Sequence, residues 1–278
     1  MVSRQMAVAT PAIRRRPPPR PDLRVVRHIE GPRVRLGIAW FGAVVVALSL
    51  GRVGLALLFG GAAVLAVAQL VVVRDGREGP LLDRDAWLRS PVRLPAAIGA
   101  LAMPLAAASG TATLLAAVAL VPMAVLVFRT FVPDVRGSLE EAGFAVAAAL
   151  AIGMAAASPV LVHGLSGGVA AVLVVLVAAY DAGDFLVGTG PTSSWEGPAG
   201  GMAAVLVLTF AATIAPPVPL GADDIWILGV LVCLLAPVGP LAASVLIGDG
   251  RTPAGFVRRL DSLVVLGPLW AFAAAALA

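Results

Sequence analysis

Long apolar segments separated by short polar stretches run through most of this 278-residue chain. Hydrophobic residues make up 60% of it, and the mean hydropathy of +0.98 excludes an ordinary soluble domain. Inside a bilayer the backbone has to satisfy its own hydrogen bonds, so such segments fold as α-helices. The sequence therefore predicts an all-α polytopic membrane protein with about nine transmembrane helices. The predicted segments are 36–50, 53–73, 94–109, 111–128, 142–161, 167–187, 199–215, 225–247 and 262–278.

The length of the segments and their prolines qualify this count. A bilayer requires roughly 20 residues, and some of the segments are shorter than this. The exact ends of the first, third and last segments are therefore left open. In the eighth segment, Pro237, Gly239 and Pro240 predict a break near one end. Such breaks are tolerated in membranes where the backbone lines a cavity, although simple bending is an equal alternative.

Arginine placement predicts the orientation of the chain. All 20 basic residues are arginine, and 19 of them fall on one side if the N-terminus is cytoplasmic. Only Arg52 falls on the other side. Because cytoplasmic loops are enriched in basic residues, the sequence predicts a cytoplasmic N-terminus and an outside C-terminus in a bacterial-type plasma membrane. The arginine-bearing inner stretches are the N-terminal tail, 74–93, 129–141 and 248–261.

The first 33 residues differ in composition from the rest. They hold eight arginines and the run Pro17-Pro18-Pro19, with few apolar residues. This composition predicts a disordered cytoplasmic tail, followed by a single transmembrane helical domain over residues 34–278. The chain has a net charge of +4, and many of its arginines lie in this tail, just ahead of the first apolar segment. This position favours anionic lipid headgroups as a partner over nucleic acid.

Two polar clusters stand at the predicted cytoplasmic ends of apolar segments. Carboxylates at membrane depth are costly unless they are paired, hydrated or metal-bound, so both clusters are candidate sites. In the first, Asp181 and Asp184 are three residues apart, and a helix would present both on one face. Oxygen ligands of this kind suit Mg²⁺, although acids at a helix end that simply reach interfacial water are the alternative. The remaining candidates of this cluster are Ser194, Trp195 and Glu196.

The second cluster follows the eighth segment and is rich in arginine. Guanidinium groups bind phosphate oxygens in a bidentate fork. Carboxylates, hydroxyls and arginines together suit nucleotidyl transfer, in which cations offset the charge of a triphosphate. The alternative is that the arginines are ordinary cytoplasmic anchors paired with neighbouring aspartates. The residues of this cluster are Ser244, Arg251, Arg258, Arg259 and Asp261.

At these residues the chain resembles the phosphatidate cytidylyltransferase family, also called CDP-diacylglycerol synthase. One family pattern is Asp-x-x-Ala-Tyr-x-x-Gly followed by Ser-Pro-Lys-Lys-Thr-Trp-Glu-Gly-x-x-Gly-Gly. Asp181 and Gly188 match its first part, while Asp184 replaces alanine. In the second part both lysines are replaced. The matches there are Pro191, Trp195, Glu196, Gly197, Gly200 and Gly201, and Ser194 keeps a hydroxyl.

The closing family signature, Asp-Arg-x-Asp-Ser, is similar to residues 258–262. Arg259, Asp261 and Ser262 match, but Arg258 stands where the family has its first aspartate. Ser244 is similar to the serine that opens this signature. Between Ser244 and Arg258, this chain has no counterpart of the family's Lys-Arg, Lys-Asp and His-Gly-Gly elements. The cytidylyltransferase-like part is thus assigned to residues 165–278.

The resemblance implies a function and a set of roles. Members of the family condense CTP with phosphatidate to give CDP-diacylglycerol and pyrophosphate, using a divalent metal such as Mg²⁺. By resemblance, Asp181 and Asp261 would be catalytic and Asp181, Asp184 and Asp261 would hold metal. The substrate and its phosphates would be bound by Ser194, Trp195, Glu196, Ser244, Arg251, Arg258 and Arg259.

The altered closing signature leaves alternatives open. One is a catalytically inactive relative that acts as a lipid-binding or assembly membrane protein. Another is an enzyme like the CTP-dependent polyprenol kinases. The partners implied are phosphatidate or another anionic lipid, CTP in an active enzyme, and the bilayer itself, while a homodimer is left open.

Overall fold

The computed structural model describes residues 33–74, 92–131, 138–188, 195–248 and 254–278. Helices make up these ranges and none of the described residues forms a strand, which confirms the predicted all-α fold. The predicted tail lies outside the described residues except for Arg33, the first residue of α1. The helices are α1 Arg33–Ser49, α2 Gly51–Arg74, α3 Arg93–Ser109, α4 Thr111–Thr130, α5 Ser138–Leu165, α6 Gly167–Gly188, α7 Glu196–Ile214, α8 Ala222–Leu235, α9 Val238–Ile247, a 3₁₀ turn Val257–Arg259, and α10 Asp261–Leu277.

Six stretches of the described chain are long and apolar enough to cross a membrane. Three shorter apolar helices accompany them, and these correspond to the first, third and last predicted segments. The count of nine spans and the orientation of the termini stay predictions. The six long stretches are Gly51–Leu70, Thr111–Thr130, Leu139–Leu165, Gly167–Gly188, Glu196–Ile214 and Ala222–Ile247.

The eighth predicted segment is divided into α8 and α9, which confirms the predicted break. The chain leaves α8 at Leu235 and begins α9 at Val238, with Pro237 at the N-cap. Proline has no backbone N–H to donate, so the helical ladder is interrupted at this point. The short helix α9 is thereby free to pack against the start of α10.

The centre of the bundle is α5, the most buried of the six long spans. It packs against α2, α3, α4, α6 and α10. Its inward-facing positions are mainly small, and residues such as Ala148, Ala149 and Ala156 are fully buried. In lipid, where there is little hydrophobic drive between helices, small side chains let backbones approach closely and gain van der Waals contact.

The hairpin of α6 and α7 contains one such close crossing. A Cβ on Gly183 would lie 2.6 Å from the carbonyl oxygen of Gly200, and one on Gly201 would lie 2.8 Å from the Tyr180 ring. These glycines therefore set how near the two backbones come. Through this crossing α7 fixes the last two turns of α6, where the predicted acidic cluster lies.

The last turns of α6, the end of α9 and the start of α10 meet at one end of the bundle. At the other end, Arg52 Nη2 donates a 2.9 Å hydrogen bond to the carbonyl oxygen of Gly164, in the final turn of α5. A cation at a helix C-terminus is favoured by the helix dipole. Arg52, the one arginine predicted to face outside, thus caps the C-terminal end of α5.

Candidate functional site

Asp181 of α6 contacts the first turn of α10. The Ser262 hydroxyl donates a 2.6 Å hydrogen bond to Asp181 Oδ1, across 81 positions of the chain. Ser262 is buried, whereas Asp181 is exposed. The acidic end of the sixth predicted segment and the closing residues 258–262 therefore share one site.

Asp261 lies beside this contact as the first residue of α10. Its side chain is largely buried, and its Oδ1 accepts a 2.8 Å hydrogen bond from the Ser262 backbone N–H. Ser262, the residue after Asp261, holds Asp181 close by, and Asp184 lies one turn further along α6. The three carboxylates are thus near enough to interact, and like charges at such a place require nearby cations or donors.

Arg258 supplies a cation at this position. Its Nη1 lies 3.7 Å from Asp261 Oδ2. Its Nη2 donates a 3.2 Å hydrogen bond to Ser244 Oγ, and Nη1 donates one of 3.2 Å to the Pro240 carbonyl oxygen. The 3₁₀ turn Val257–Arg259 causes this arrangement, because it puts Arg258 and Asp261 on the same side three residues apart.

The close packing of α9 on α10 allows Arg258 to reach these partners. Gly239 lies directly against the backbone of Asp261 and Ser262, and a Cβ there would overlap the Asp261 carbonyl group. Ser244, one turn beyond Pro240 on α9, is fully buried, and its Oγ also donates a 2.7 Å hydrogen bond to the Pro240 carbonyl oxygen. The Pro240 carbonyl and the Ser244 hydroxyl thus form a polar edge on an otherwise apolar helix.

A contact with α2 fixes the segment that carries Arg258. The backbone N–H of Phe256 donates a 2.9 Å hydrogen bond to Gln69 Oε1. Sequence reasoning assigned no role to Gln69, although a lone amide inside the apolar segment 53–73 is the kind of signal that marks a buried polar contact. Ser262 was likewise matched to a motif without being assigned a role, and the Pro240 carbonyl carries no side-chain signal.

Asp184 lies one turn beyond Asp181 on α6, as the spacing predicted, but in a different environment. Asp184 is 7% exposed, while Asp181 faces outward. Trp195 and Glu196, at the start of α7, are both exposed. Ser194 and Arg251 lie outside the described residues. The Gly200 and Gly201 of the same motif serve the α6–α7 crossing.

The Arg259 side chain points in a different direction from that of Arg258. Its Nη1 lies 3.6 Å from where a Cβ on Gly37 would be, so its guanidinium packs over α1. Neighbouring residues in a 3₁₀ turn point about a third of a turn apart, which explains the divergence. Among the predicted site residues, side-chain contacts link Ser244, Arg258 and Asp261, and the Ser262 hydroxyl holds Asp181 beside them. Asp184 lies one turn away on α6, and Arg259 is directed toward the first helix.

The described residues could bind a Mg²⁺ ion only through few protein ligands, with water and substrate supplying the rest. Nowhere in the described ranges do three or more Asp, Glu, His or Cys side chains gather as a metal-binding group. Mg²⁺ commonly uses one or two protein carboxylates and takes its other oxygens from water and substrate phosphates. The exposed Asp181 carboxylate, backed by the Ser262 hydroxyl, has the chemistry for that mode. Mg²⁺ itself, and the role of Asp261 as a ligand, stay predictions.

Comparison with known proteins gives one match. The model of the cytidylyltransferase family matches residues 32–247, which is most of the chain. The matched range begins at α1, well before the predicted part 165–278, and ends before Arg258. A search of curated proteins found no match.

Proposed function

Since the chain belongs to the cytidylyltransferase family of CTP-utilising transferases, we propose that it condenses CTP with phosphatidate to give CDP-diacylglycerol and pyrophosphate. A phosphate oxygen of phosphatidate forms a bond to the α-phosphorus of CTP. The bond between the α- and β-phosphates breaks, and pyrophosphate leaves with its electron pair. The observation that carries this proposal is the hydrogen bond from Ser262 to Asp181, because it unites the two motif regions in one site.

The roles of the side chains follow from their contacts. Ser262 orients the Asp181 carboxylate at the exposed mouth of the site. Arg258 is held beside Ser244 and Asp261, where a permanent positive charge offsets the charge that grows on the leaving pyrophosphate. Preorganised charges of this kind are worth most in a site that excludes water, and the apolar helices around Ser244 provide such surroundings.

Asp181 would hold a Mg²⁺ ion, which when bound neutralises part of the triphosphate charge. Its exposed carboxylate, oriented by the Ser262 hydroxyl, supports this assignment, and the buried Asp184 lies one helical turn away. The exposed Trp195 suits the membrane surface, where indole rings favour the headgroup region and a lipid phosphate would arrive.

We also propose that the chain crosses the plasma membrane of a bacterial-type cell nine times, with the site on the cytoplasmic side. Support comes from the three shorter apolar helices that accompany the six long ones. The placement of arginine also supports it, because Arg52 is the one arginine among the described residues at the end of the bundle opposite Asp181. CTP is a cytoplasmic metabolite, so a site at the arginine-rich end would meet its substrate there.

Genetic rescue tests the proposed activity. The full chain would be expressed in a bacterial strain depleted of its own CDP-diacylglycerol synthase, beside Asp181→Asn as the inactive control and Asp223→Asn as the matched control. Asp223 is an exposed acid in the first turn of α8, away from the site. We expect growth with the unchanged chain and with Asp223→Asn only. If the unchanged chain and its variants reach equal levels in the membrane and the unchanged chain gives no growth, it is not a CDP-diacylglycerol synthase in that cell. The lipid-binding alternative is then favoured.

A further inference from the structure

The Arg258 guanidinium is held in place by contacts with α9 and with the first residue of α10. It hydrogen-bonds to Ser244 Oγ and to the Pro240 carbonyl oxygen, and it faces Asp261 Oδ2 at 3.7 Å. Three groups from two different elements therefore fix its place. A guanidinium keeps its charge at every physiological pH, so this cation is a permanent part of the fold.

The consequence for Asp261 is that both of its oxygens have partners in the protein. Oδ1 accepts the Ser262 backbone N–H at 2.8 Å, and Oδ2 faces Arg258. A metal ion bound at Asp261 would have to approach a fixed positive charge within a few ångströms. Repulsion between like charges at that distance disfavours such binding, above all in surroundings that screen poorly.

Arg258 is nevertheless accessible to a ligand. Its side chain is 20% exposed, and the neighbouring Asp181 is exposed too. The exposed part of the Arg258 side chain is therefore available to an anion at the mouth of the site. Guanidinium binds phosphate oxygens through charge-assisted hydrogen bonds, which are among the strongest polar contacts in proteins.

From these contacts we propose that Arg258 is a built-in phosphate-binding cation, and that Asp261 serves as the counterion of this arginine instead of as a metal ligand. The site then binds the diphosphate part of its ligand through Arg258 even when no divalent metal is present. This rests on the proposed function only in taking the ligand to be a nucleotide or its pyrophosphate product.

Binding of inorganic pyrophosphate in the presence of EDTA tests the first half. The purified full chain in detergent would be titrated by calorimetry, beside Arg258→Gln, Arg258→Lys and the matched control Arg52→Gln at the opposite end of the bundle. We expect Arg258→Gln to bind about 10- to 100-fold more weakly, the loss typical of a charge-assisted hydrogen bond. Arg258→Lys should lose less, and Arg52→Gln should stay within about 2-fold of the unchanged chain. Equal affinities in the unchanged chain and Arg258→Gln, or no binding to the unchanged chain without metal, would overturn the proposal.

Counting bound Mn²⁺ by electron paramagnetic resonance tests the second half without any substrate. The unchanged chain and Asp261→Asn should bind the same number of ions with affinities within about 3-fold. One ion fewer in Asp261→Asn would make Asp261 a metal ligand and refute its assignment as a counterion. Neither measurement depends on product formation, so each can succeed where genetic rescue fails, or fail where it succeeds.

Discussion

Ser262 donates its hydroxyl hydrogen to Asp181 Oδ1 at 2.6 Å and so joins α10 to α6. Ser262 is almost fully buried, and Asp181 is exposed beside it. A buried donor thus fixes one oxygen of an accessible carboxylate. The rotamer of Asp181 is thereby set before any ligand arrives, and such preorganisation is what a carboxylate that positions charge requires.

Removal of the Ser262 hydroxyl should weaken the function of Asp181 without abolishing it. A hydrogen bond to a charged group contributes about 1.5–3 kcal/mol, and the exposure of Asp181 favours the lower end. We expect Ser262→Ala to lower the rate of CDP-diacylglycerol formation about 10-fold. The double variant with Asp181→Asn should be no slower than Asp181→Asn alone. Independent, multiplying losses in this double-mutant cycle would show that the two residues act separately.

Gly201 should tolerate no added side-chain atom, because its Cβ would lie 2.8 Å from the Tyr180 ring carbons and carbonyl oxygen. Overpacking of this kind costs about 1–3 kcal/mol. We expect Gly201→Ala to lower the melting temperature of the purified protein and to reduce its activity by displacing α6. Gly61→Ala is the matched control, since a Cβ there has no neighbour within 4 Å. Alanine favours helix over glycine, so Gly61→Ala should melt at the same temperature or higher.

Equal melting temperatures for Gly201→Ala and the unchanged protein would mean that the α6–α7 crossing is looser than the contacts at Gly183 and Gly201 require.

The predicted orientation can be read from cysteine labelling. Cys233 is buried and would be replaced by alanine to give a background without thiols. Single cysteines at the exposed positions 130 and 223 would then be treated with a membrane-impermeant maleimide. We expect intact cells to label the cysteine at 223, and only permeabilised cells to label that at 130, because Arg129 marks the cytoplasmic side. Labelling of position 130 alone in intact cells would invert the orientation.

Much of the fold was predictable because its causes are local. Apolar runs specify helices in a bilayer, and proline at 237 specifies the break between α8 and α9. The first, third and last predicted segments correspond to the three shorter apolar helices that accompany the six long spans. Helix ends moved by a few residues, since capping and turn geometry decide them more than hydropathy does.

The candidate site was predictable only in its residue types. The i, i+3 spacing correctly put Asp181 and Asp184 one turn apart on a helix. It could not show that Asp184 turns into the protein while Asp181 faces outward, because burial depends on which helices pack against α6. Nor could it show that Arg258 and Arg259 separate, since a 3₁₀ turn directs one to Ser244 and the other to Gly37.

Transfer of the cytidylyl group by the purified protein is the most direct measurement of the proposed function. The full chain in lipid vesicles would be supplied with radiolabelled CTP, phosphatidate and Mg²⁺, and labelled CDP-diacylglycerol would be extracted and counted. We expect product from the unchanged chain and from Asp223→Asn, and at least about 100-fold less from Asp181→Asn, a loss typical of removing one charge-stabilising group. Product formation by Asp181→Asn at the rate of the unchanged chain, or none above background from a folded unchanged chain, would contradict the proposed site and its chemistry.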